Sequence, residues 1–134
     1  MASIFTKIIN GEIPSYKVAE DENFYAFLDI FPIAKGHTLV IPKNETDYIF
    51  DIADKEYQEL FLFAKKVGKA VEKIIECERI GISVLGLEVP HAHIHVIPIN
   101  TVYDIDFSKT KLQFTQEEFE ELASQISNAF NEDQ

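Results

Sequence analysis

Histidine and apolar residues alternate between Val89 and Pro98, in the order Val-Pro-His-Ala-His-Ile-His-Val-Ile-Pro. A period of two is the side-chain period of a β-strand, so a strand here places all three histidines on one face. Ala92, Ile94 and Val96 then lie on the other face. Any fold of this chain therefore has to include a sheet with a row of imidazoles on one side.

The remaining periodic segments predict an α+β fold on a mostly antiparallel sheet. Apolar residues recur at three- and four-residue spacing from Asp54 to about Cys77, which predicts the longest helix, with Asp54 as its N-cap. Thr115-Gln-Glu-Glu matches a capping box and predicts a C-terminal helical extension over about 115–130. A short helical turn is expected before Asn10, and strands are expected at 16–19, 24–29, 37–43 and 80–85, the first two as a hairpin.

The apolar stripe of the long helix is widened by Leu62 and Phe63 beyond what one sheet face requires. Part of this stripe could bury against a second copy of the chain, which predicts a homodimer. The alternative is a helix that is simply well buried in its own domain.

Length and charge restrict the class of protein. A chain of 134 residues is sufficient for one ordinary domain, 1–134. A net charge of −11 argues against nucleic acid as a partner, because binding to phosphodiesters requires a basic surface. The apolar segments are too short or too interrupted by charge for a membrane span, and the N-terminus does not resemble a signal peptide, so we expect a cytoplasmic protein. The single cysteine, Cys77, is compatible with a reducing compartment.

A row of imidazoles is costly as a purely structural feature, because each buried ring needs a hydrogen-bond partner. One functional alternative is zinc, since two histidines in a His-x-His strand can share a metal and a third can complete a catalytic site. The other is metal-free covalent catalysis, in which a neutral imidazole attacks phosphorus while its neighbours, in protonated form, donate to the phosphoryl oxygens. The residues of the row leave both chemistries open.

Three segments resemble one known family. His91–Ile97 has the histidine-apolar alternation that names the histidine triad (HIT) superfamily. Ser3–Pro14 resembles the N-terminal signature of that family, and Phe27–Pro32 followed by Lys35–Lys43 resembles its central block. Together they cover most of residues 3 to 99 in the family's order and are most similar to its Hint-like branch.

The resemblance implies a homodimeric HIT-like α+β fold that binds purine nucleotides. It further implies hydrolysis at the α-phosphorus, of the nucleoside phosphoramidase type, through a covalent nucleotidyl-histidine. By position, His93 would be the nucleophile and His95 would contact the phosphate and assist the leaving group. His91 and His37 would form a hydrogen-bonded relay that sets the tautomer of the nucleophile.

The same resemblance implies a nucleotide-binding set in which Asp29 accepts hydrogen bonds from the ribose hydroxyls. Judged from the residues alone, Asp29 could instead begin a turn before Ile30. The residues that would enclose the base are Ile4, Phe5, Ile8, Phe27 and Ile30.

The chain also departs from the family pattern. Ser3 and Thr6 stand where many relatives have cysteines that help to hold zinc, so we expect no structural metal and no other cofactor. Leu87 and Glu88 replace a glutamine and a small hydroxyl residue that line the phosphate in relatives, and Ile99 stands where many bacterial relatives have arginine. Two alternatives follow: a nucleotide-binding or regulatory module with weak or no catalysis, and a dinucleoside polyphosphate hydrolase.

Overall fold

The computed structural model describes residues 2–132, which form three α-helices and one five-stranded sheet and confirm the predicted α+β class. In chain order the elements are α1 (Ile4–Ile9), β1 (Lys17–Glu20), β2 (Phe24–Leu28), β3 (Thr38–Pro42), α2 (Asp54–Ile74), β4 (Arg79–Ser83), β5 (Ile94–Ile99) and α3 (Gln116–Glu132), with a short 3-10 turn at Ile49–Asp51 before α2.

The strand with the histidines lies inside the sheet. The strand order is β1-β2-β3-β5-β4, and every neighbouring pair is antiparallel. His95 on β5 is opposite Leu39 on β3 and opposite Ser83 on β4. Because cross-strand partners point to the same face, these three side chains share one side of the sheet.

The two faces of the sheet are covered by different elements. Helices α2 and α3 pack on one face, in a core that includes Ala92, Ile94 and Val96. A smaller apolar cluster on the other face joins Phe5 of α1 to residues of β2 and β3, including Phe27. The predicted division of the alternating segment between two faces is therefore confirmed. No helix within residues 2–132 is long and apolar enough to cross a membrane.

The histidine strand begins later than the alternation suggests. β5 starts at Ile94, so His91 and His93 precede the sheet ladder. The chain there is held by a hydrogen bond from the Ala92 N–H to the Thr46 oxygen, 2.7 Å, in the loop after β3. The backbone remains extended enough for the alternation to continue, since Ala92 is still buried in the helical core.

The helix ends show one confirmed prediction and two corrections. The capping box is confirmed, because Thr115 Oγ1 accepts from the Glu118 N–H at 3.1 Å and the Thr115 N–H donates to Glu118 Oε1 at 2.8 Å. The N-cap of α2 is Ala53, so the prediction for Asp54 is wrong; Asp54 lies in the first turn, where its charge suits the helix dipole. α2 ends at Ile74, before Cys77, because Ile75 is already extended.

Candidate active site

The four histidines converge on the face of the sheet that α1 partly covers. Three come from the β5 segment, and His37 immediately precedes β3. All four are buried. The ring centroids of His93 and His95 are 4.9 Å apart, and those of His37 and His95 are 5.2 Å apart. The structure thus brings together every histidine that the sequence singled out.

The tautomer of His93 follows from its backbone partner. Its Nδ1 lies 2.8 Å from the carbonyl oxygen of His91. A carbonyl oxygen can only accept, so Nδ1 carries the proton and donates it to this bond. In the neutral ring the lone pair is then on Nε2. His93 therefore offers a nucleophilic nitrogen on the side away from its own backbone contact.

The tautomer of His95 is the opposite one. The backbone N–H of Ile33 donates to His37 Nδ1 at 3.2 Å, so a neutral His37 carries its proton on Nε2. That proton is donated to His95 Nδ1, 2.9 Å away. Because Nδ1 of His95 accepts, its Nε2 carries a proton. A lone pair on His93 and an N–H donor on His95 are thus presented by adjacent rings.

Burial favours the uncharged form of the rings of His37 and His95. Burial lowers the pKa of His37 from 6.5 to about 4, and the positive charge of Lys111 assists. Burial also lowers the pKa of His95 from 6.5 to about 3, assisted by His93 and His37. Both rings are therefore neutral near pH 7 in the free protein, so neither His37 nor His95 is a protonated donor of the kind that the sequence suggested.

The ring of His91 is held by hydrogen bonds on both of its nitrogens. Its ring is fully buried, and Nε2 donates to the Pro42 oxygen at 2.8 Å. Nδ1 accepts from the hydroxyl of Ser3, also at 2.8 Å. The predicted relay to His93 is therefore arranged differently from the expectation: His37 contacts the ring of His95, and His91 reaches His93 through its backbone oxygen.

Ser3 and Thr6 belong to a hydrogen-bonded group with Glu45, a residue that the sequence reasoning missed. Glu45 Oε1 accepts from the Thr6 hydroxyl at 2.6 Å and from the Ser3 N–H at 2.7 Å. These two bonds, the Thr6 bond first, lower the pKa of Glu45 from 4.5 to about 2. Glu45 lies in a loop without periodicity, which explains why no pattern revealed it.

A structural zinc at this position does not fit the residues present. The hydroxyls of Ser3 and Thr6 are already engaged with His91 and Glu45. Neutral hydroxyls are also poor substitutes for the thiolate and imidazole ligands that structural zinc requires.

Asp29, His37 and His95 form a second place to test for metal binding, since their ligand atoms lie within 4.8 Å of one another. Nε2 of His37 is 3.6 Å from Asp29 Oδ2 and 2.9 Å from His95 Nδ1. A metal on Nε2 would displace its proton to Nδ1, where the N–H of Ile33 already points. The proton arrangement of His37 therefore disfavours a metal here.

Three of the residues expected at the base, Phe5, Phe27 and Ile8, lie together on the same face of the sheet as the histidines. The ring of Phe5 lies 5.6 Å from Phe27 and 5.0 Å from His93, and Ile8 packs against this cluster. Ile4 and Ile30 are exposed. Their side chains are therefore accessible from solvent.

Asp29 does begin a turn, as the residues alone suggested. Its Oδ1 accepts from the Phe31 N–H at 2.8 Å. Its Oδ2 lies 3.6 Å from His37 Nε2, so the carboxylate also stands at the edge of the histidine group. Asp29 can therefore begin the turn with one carboxylate oxygen while the other oxygen lies at the site.

Phe107 is a second residue that the sequence reasoning missed. The segment from Asn100 to Lys111 was expected to be polar and irregular, and within it the ring centroid of Phe107 lies 4.7 Å from that of His95. The segment approaches the sheet closely because Gly81 has no side chain; a Cβ there would lie 2.7 Å from Ile105 Cδ1. Phe5, His93, His95 and Phe107 thus form a continuous row of rings. The available signal was a large apolar side chain, Phe107, between the polar residues Asp106 and Ser108.

An antiparallel sheet that carries these paired histidines defines the histidine triad class. The family model described as HIT domain matches residues 10–102. An uncharacterised HIT-like protein of Borreliella burgdorferi is 42% identical over 92% of this chain and 95% of its own length. A solved structure of a Hit-like protein from Bartonella henselae superposes with a TM-score of 0.83 at 33% identity, covering 95% of both chains. This chain belongs to the HIT family.

The similarity extends to a relative that is named for an enzymatic activity. The adenosine 5′-monophosphoramidase of Schizosaccharomyces pombe is 35% identical over 96% of this chain and 98% of its own length.

Proposed function

We propose that this protein is a purine nucleotide-binding hydrolase of the nucleoside phosphoramidase type, acting at the α-phosphorus. The observation that carries the proposal is the pair of opposite tautomers: a lone pair on His93 Nε2 beside an N–H on His95 Nε2. Attack on phosphorus needs a nucleophile and a donor to the phosphoryl group at the same place. The activity for which the S. pombe relative is named supports the choice of substrate class.

In the proposed reaction the His93 Nε2 lone pair forms a bond to the α-phosphorus while the P–N bond of the substrate breaks. The departing nitrogen takes up a proton from solvent water and leaves as an amine, with His95 donating a hydrogen bond on that side; the later attack of water on phosphorus returns one proton to solvent. The His91 carbonyl stabilises the positive charge that develops on the His93 ring through its bond to Nδ1. Water then cleaves the phosphorus–histidine bond and releases the nucleoside monophosphate.

The nucleotide would lie beside α1 with its phosphate on the histidines. The apolar surface that includes Phe5, Phe27 and Ile8 would pack against the base, with Ile4 and Ile30 closing over it. Asp29 would accept from the ribose hydroxyls, because a carboxylate offers only acceptors. Its position 3.6 Å from His37 supports a sugar close to the phosphate site.

Incubation with an adenosine phosphoramidate and, separately, a dinucleoside polyphosphate tests the proposal. We expect faster turnover of the phosphoramidate and, after an alkaline quench that preserves the phosphorus–nitrogen bond, an adduct of one nucleotidyl group on His93 by mass spectrometry. His93→Ala is expected to lose turnover and adduct while still binding AMP in calorimetry. Undiminished turnover by His93→Ala would contradict the covalent mechanism.

A second candidate is a nucleotide-binding module with little catalysis. It is favoured by Leu87, which is 90% exposed, and by the neighbouring Glu88, which is exposed as well and brings a carboxylate to the turn before the histidines. Tight AMP binding without hydrolysis of either substrate would support this candidate. Preferred turnover of the dinucleoside polyphosphate would support a third, the polyphosphate hydrolase.

We further propose that the protein is a homodimer in which the two copies meet beside β4. This strand is an edge of the sheet, and such edges tend to pair with another chain. Ile82 on β4 is 53% exposed and Leu62 on α2 is 59% exposed. Two grooves of about 620 and 470 Å³ meet at Phe61 along the same side. Light scattering at increasing concentration tests this, with Ile82→Glu expected to shift the mass towards the monomer.

We also propose that residues 1–134 form a single domain. The proposed location of the protein is the cytoplasm. Helix α3 supports a single domain because Leu122, Ile126 and Phe130 lie in the same apolar core as α2. Cys77 is a free cysteine, as is usual in a reducing compartment.

A further inference from the structure

We propose that Ser3, Thr6 and Glu45 form a positioning device, the Glu45 clamp, that fixes His91 and thereby the proton of His93. The role in catalysis rests on the proposed phosphoramidase function. The clamp touches neither substrate nor reacting atoms in this proposal. Its members are therefore positioning residues, and they act through His91.

The clamp joins parts of the chain that are far apart in sequence. Glu45 follows β3, whereas Ser3 and Thr6 lie at the start of α1, 42 and 39 residues away. One carboxylate oxygen accepts both the Ser3 N–H and the Thr6 hydroxyl. Glu45 is exposed, and its carboxylate loses part of its hydration when it accepts these two hydrogen bonds. The start of α1 is thus held against the end of β3 by two charge-assisted bonds.

Ser3 passes this constraint to His91. Its hydroxyl accepts from the Thr6 N–H at 3.1 Å as the N-cap of α1 and donates its one proton to His91 Nδ1. The other nitrogen of the ring donates to the Pro42 oxygen. His91 consequently has one defined tautomer, a fixed ring orientation and both nitrogens satisfied in a fully buried position.

His91 passes the constraint to His93 in turn. The backbone oxygen that keeps the proton on His93 Nδ1 belongs to His91, so a shift of His91 alters the His93 tautomer. The same clamp fixes the position of α1. The ring centroid of Phe5 in this helix lies 5.7 Å from that of His91 and 5.0 Å from that of His93. One exposed carboxylate therefore influences the nucleophile and the wall beside it.

Ser3→Ala and Glu45→Ala test the clamp, with Glu45→Gln as the conservative variant and Glu20→Gln as the control. Glu20 is a comparable exposed carboxylate that contacts Lys17 and Lys43. We expect kcat for the phosphoramidate to fall about tenfold or more in both alanine variants, because Glu45→Ala removes the charged acceptor of the clamp and Ser3→Ala removes the hydroxyl that donates to His91. KM should change by less than about threefold, and Glu20→Gln should match the wild type. Glu45→Gln should recover part of kcat, because its amide oxygen still accepts.

Ring ¹⁵N chemical shifts provide a readout that simple destabilisation does not move. The folded wild type should show His93 with its proton on Nδ1, and Ser3→Ala should show a mixture of the two tautomers. A fall in kcat with His93 unchanged in tautomer would overturn the proposal, as would wild-type kcat in both alanine variants. If Ser3→Ala does not fold, Glu45→Ala provides the same test with a substitution at an exposed position.

The two proposals fail in different ways. Absence of turnover in the wild type would remove the phosphoramidase function, while the ¹⁵N shifts of His93 in the variants would still decide for or against the clamp. Turnover with an unaltered His93 tautomer in both variants would remove the clamp alone.

Discussion

Nε2 of His37 lies 2.9 Å from Nδ1 of His95, and both rings are buried. This bond accommodates one proton, supplied by His37, because the other nitrogen of His37 is occupied by the Ile33 N–H. A second proton on His95 Nδ1 would face the first. The geometry and the burial therefore both favour the neutral pair, which makes the protein sensitive to acid.

Stability is expected to fall between about pH 7 and pH 5. The pKa of His37 is about 4 in the folded protein against 6.5 for an ordinary histidine, so the unfolded chain binds more protons in this range. The loss attributable to His37 is about 1–2 kcal/mol. Urea unfolding of the wild type and His37→Gln at both pH values measures it, and the variant should lose less. An equal loss in both would contradict the assignment.

Phe107→Ala is expected to raise the pKa of His95. Burial is the main reason that this pKa is about 3, and the ring of Phe107 covers His95 at 4.7 Å. Water admitted by the smaller side chain favours the charged imidazole, by about one unit or more. An NMR titration measures the shift. Tyr103→Ala, at a residue 79% exposed in the same segment, should leave His95 unchanged, and an equal shift in both variants would argue against a specific role for Phe107.

Gly36→Ala is expected to destabilise the protein by about 2 kcal/mol or more. Gly36 has a φ of +92°, and a Cβ there would lie 2.9 Å from Ile75 Cγ1. Gly11→Ala is the matched control, because Gly11 has a φ of +79° with no atom within 4 Å of the added Cβ. Backbone strain alone should cost it about 1 kcal/mol. Equal losses in urea unfolding would show that the contact with Ile75 has no effect.

Thr115→Ala is expected to lower the free energy of unfolding by about 1 kcal/mol, since it removes the acceptor of the Glu118 N–H at the start of α3. Thr115→Ser keeps the hydroxyl and should cost less than half of this. Thermal unfolding compares the two variants with the wild type. A serine variant as unstable as the alanine variant would mean that the hydroxyl is unimportant.

Dialysis against a chelator is expected to leave phosphoramidate turnover unchanged. The reason is the donor set: His37 carries its proton on the nitrogen that faces Asp29, and the hydroxyls of Ser3 and Thr6 already have partners. Turnover before and after dialysis is compared with metal content by elemental analysis. Loss of activity that added zinc restores would show that this interpretation of the site is wrong.

The sequence predicted the elements well where periodicity is strong. The helix that starts near Asp54, the capping box at Thr115 and the two faces of the alternating segment are all local patterns, because they depend on spacing along one element. Element ends were less accurate. The start of β5 depends on where β3 and β4 supply hydrogen bonds, and periodicity carries no information about these partners.

By itself the sequence determined the row of histidines, the α+β class and the family to which the chain belongs. Only the tertiary structure decided which ring nitrogen of His93 and of His95 carries the proton. The tautomers of His93 and His95 are set by the His91 carbonyl and by the Ile33 N–H acting through His37. The contacts of Glu45 and Phe107 join segments that are distant in the chain. Such contacts depend on which loops the folded sheet brings together, whereas spacing along the chain determines only which side chains share a face.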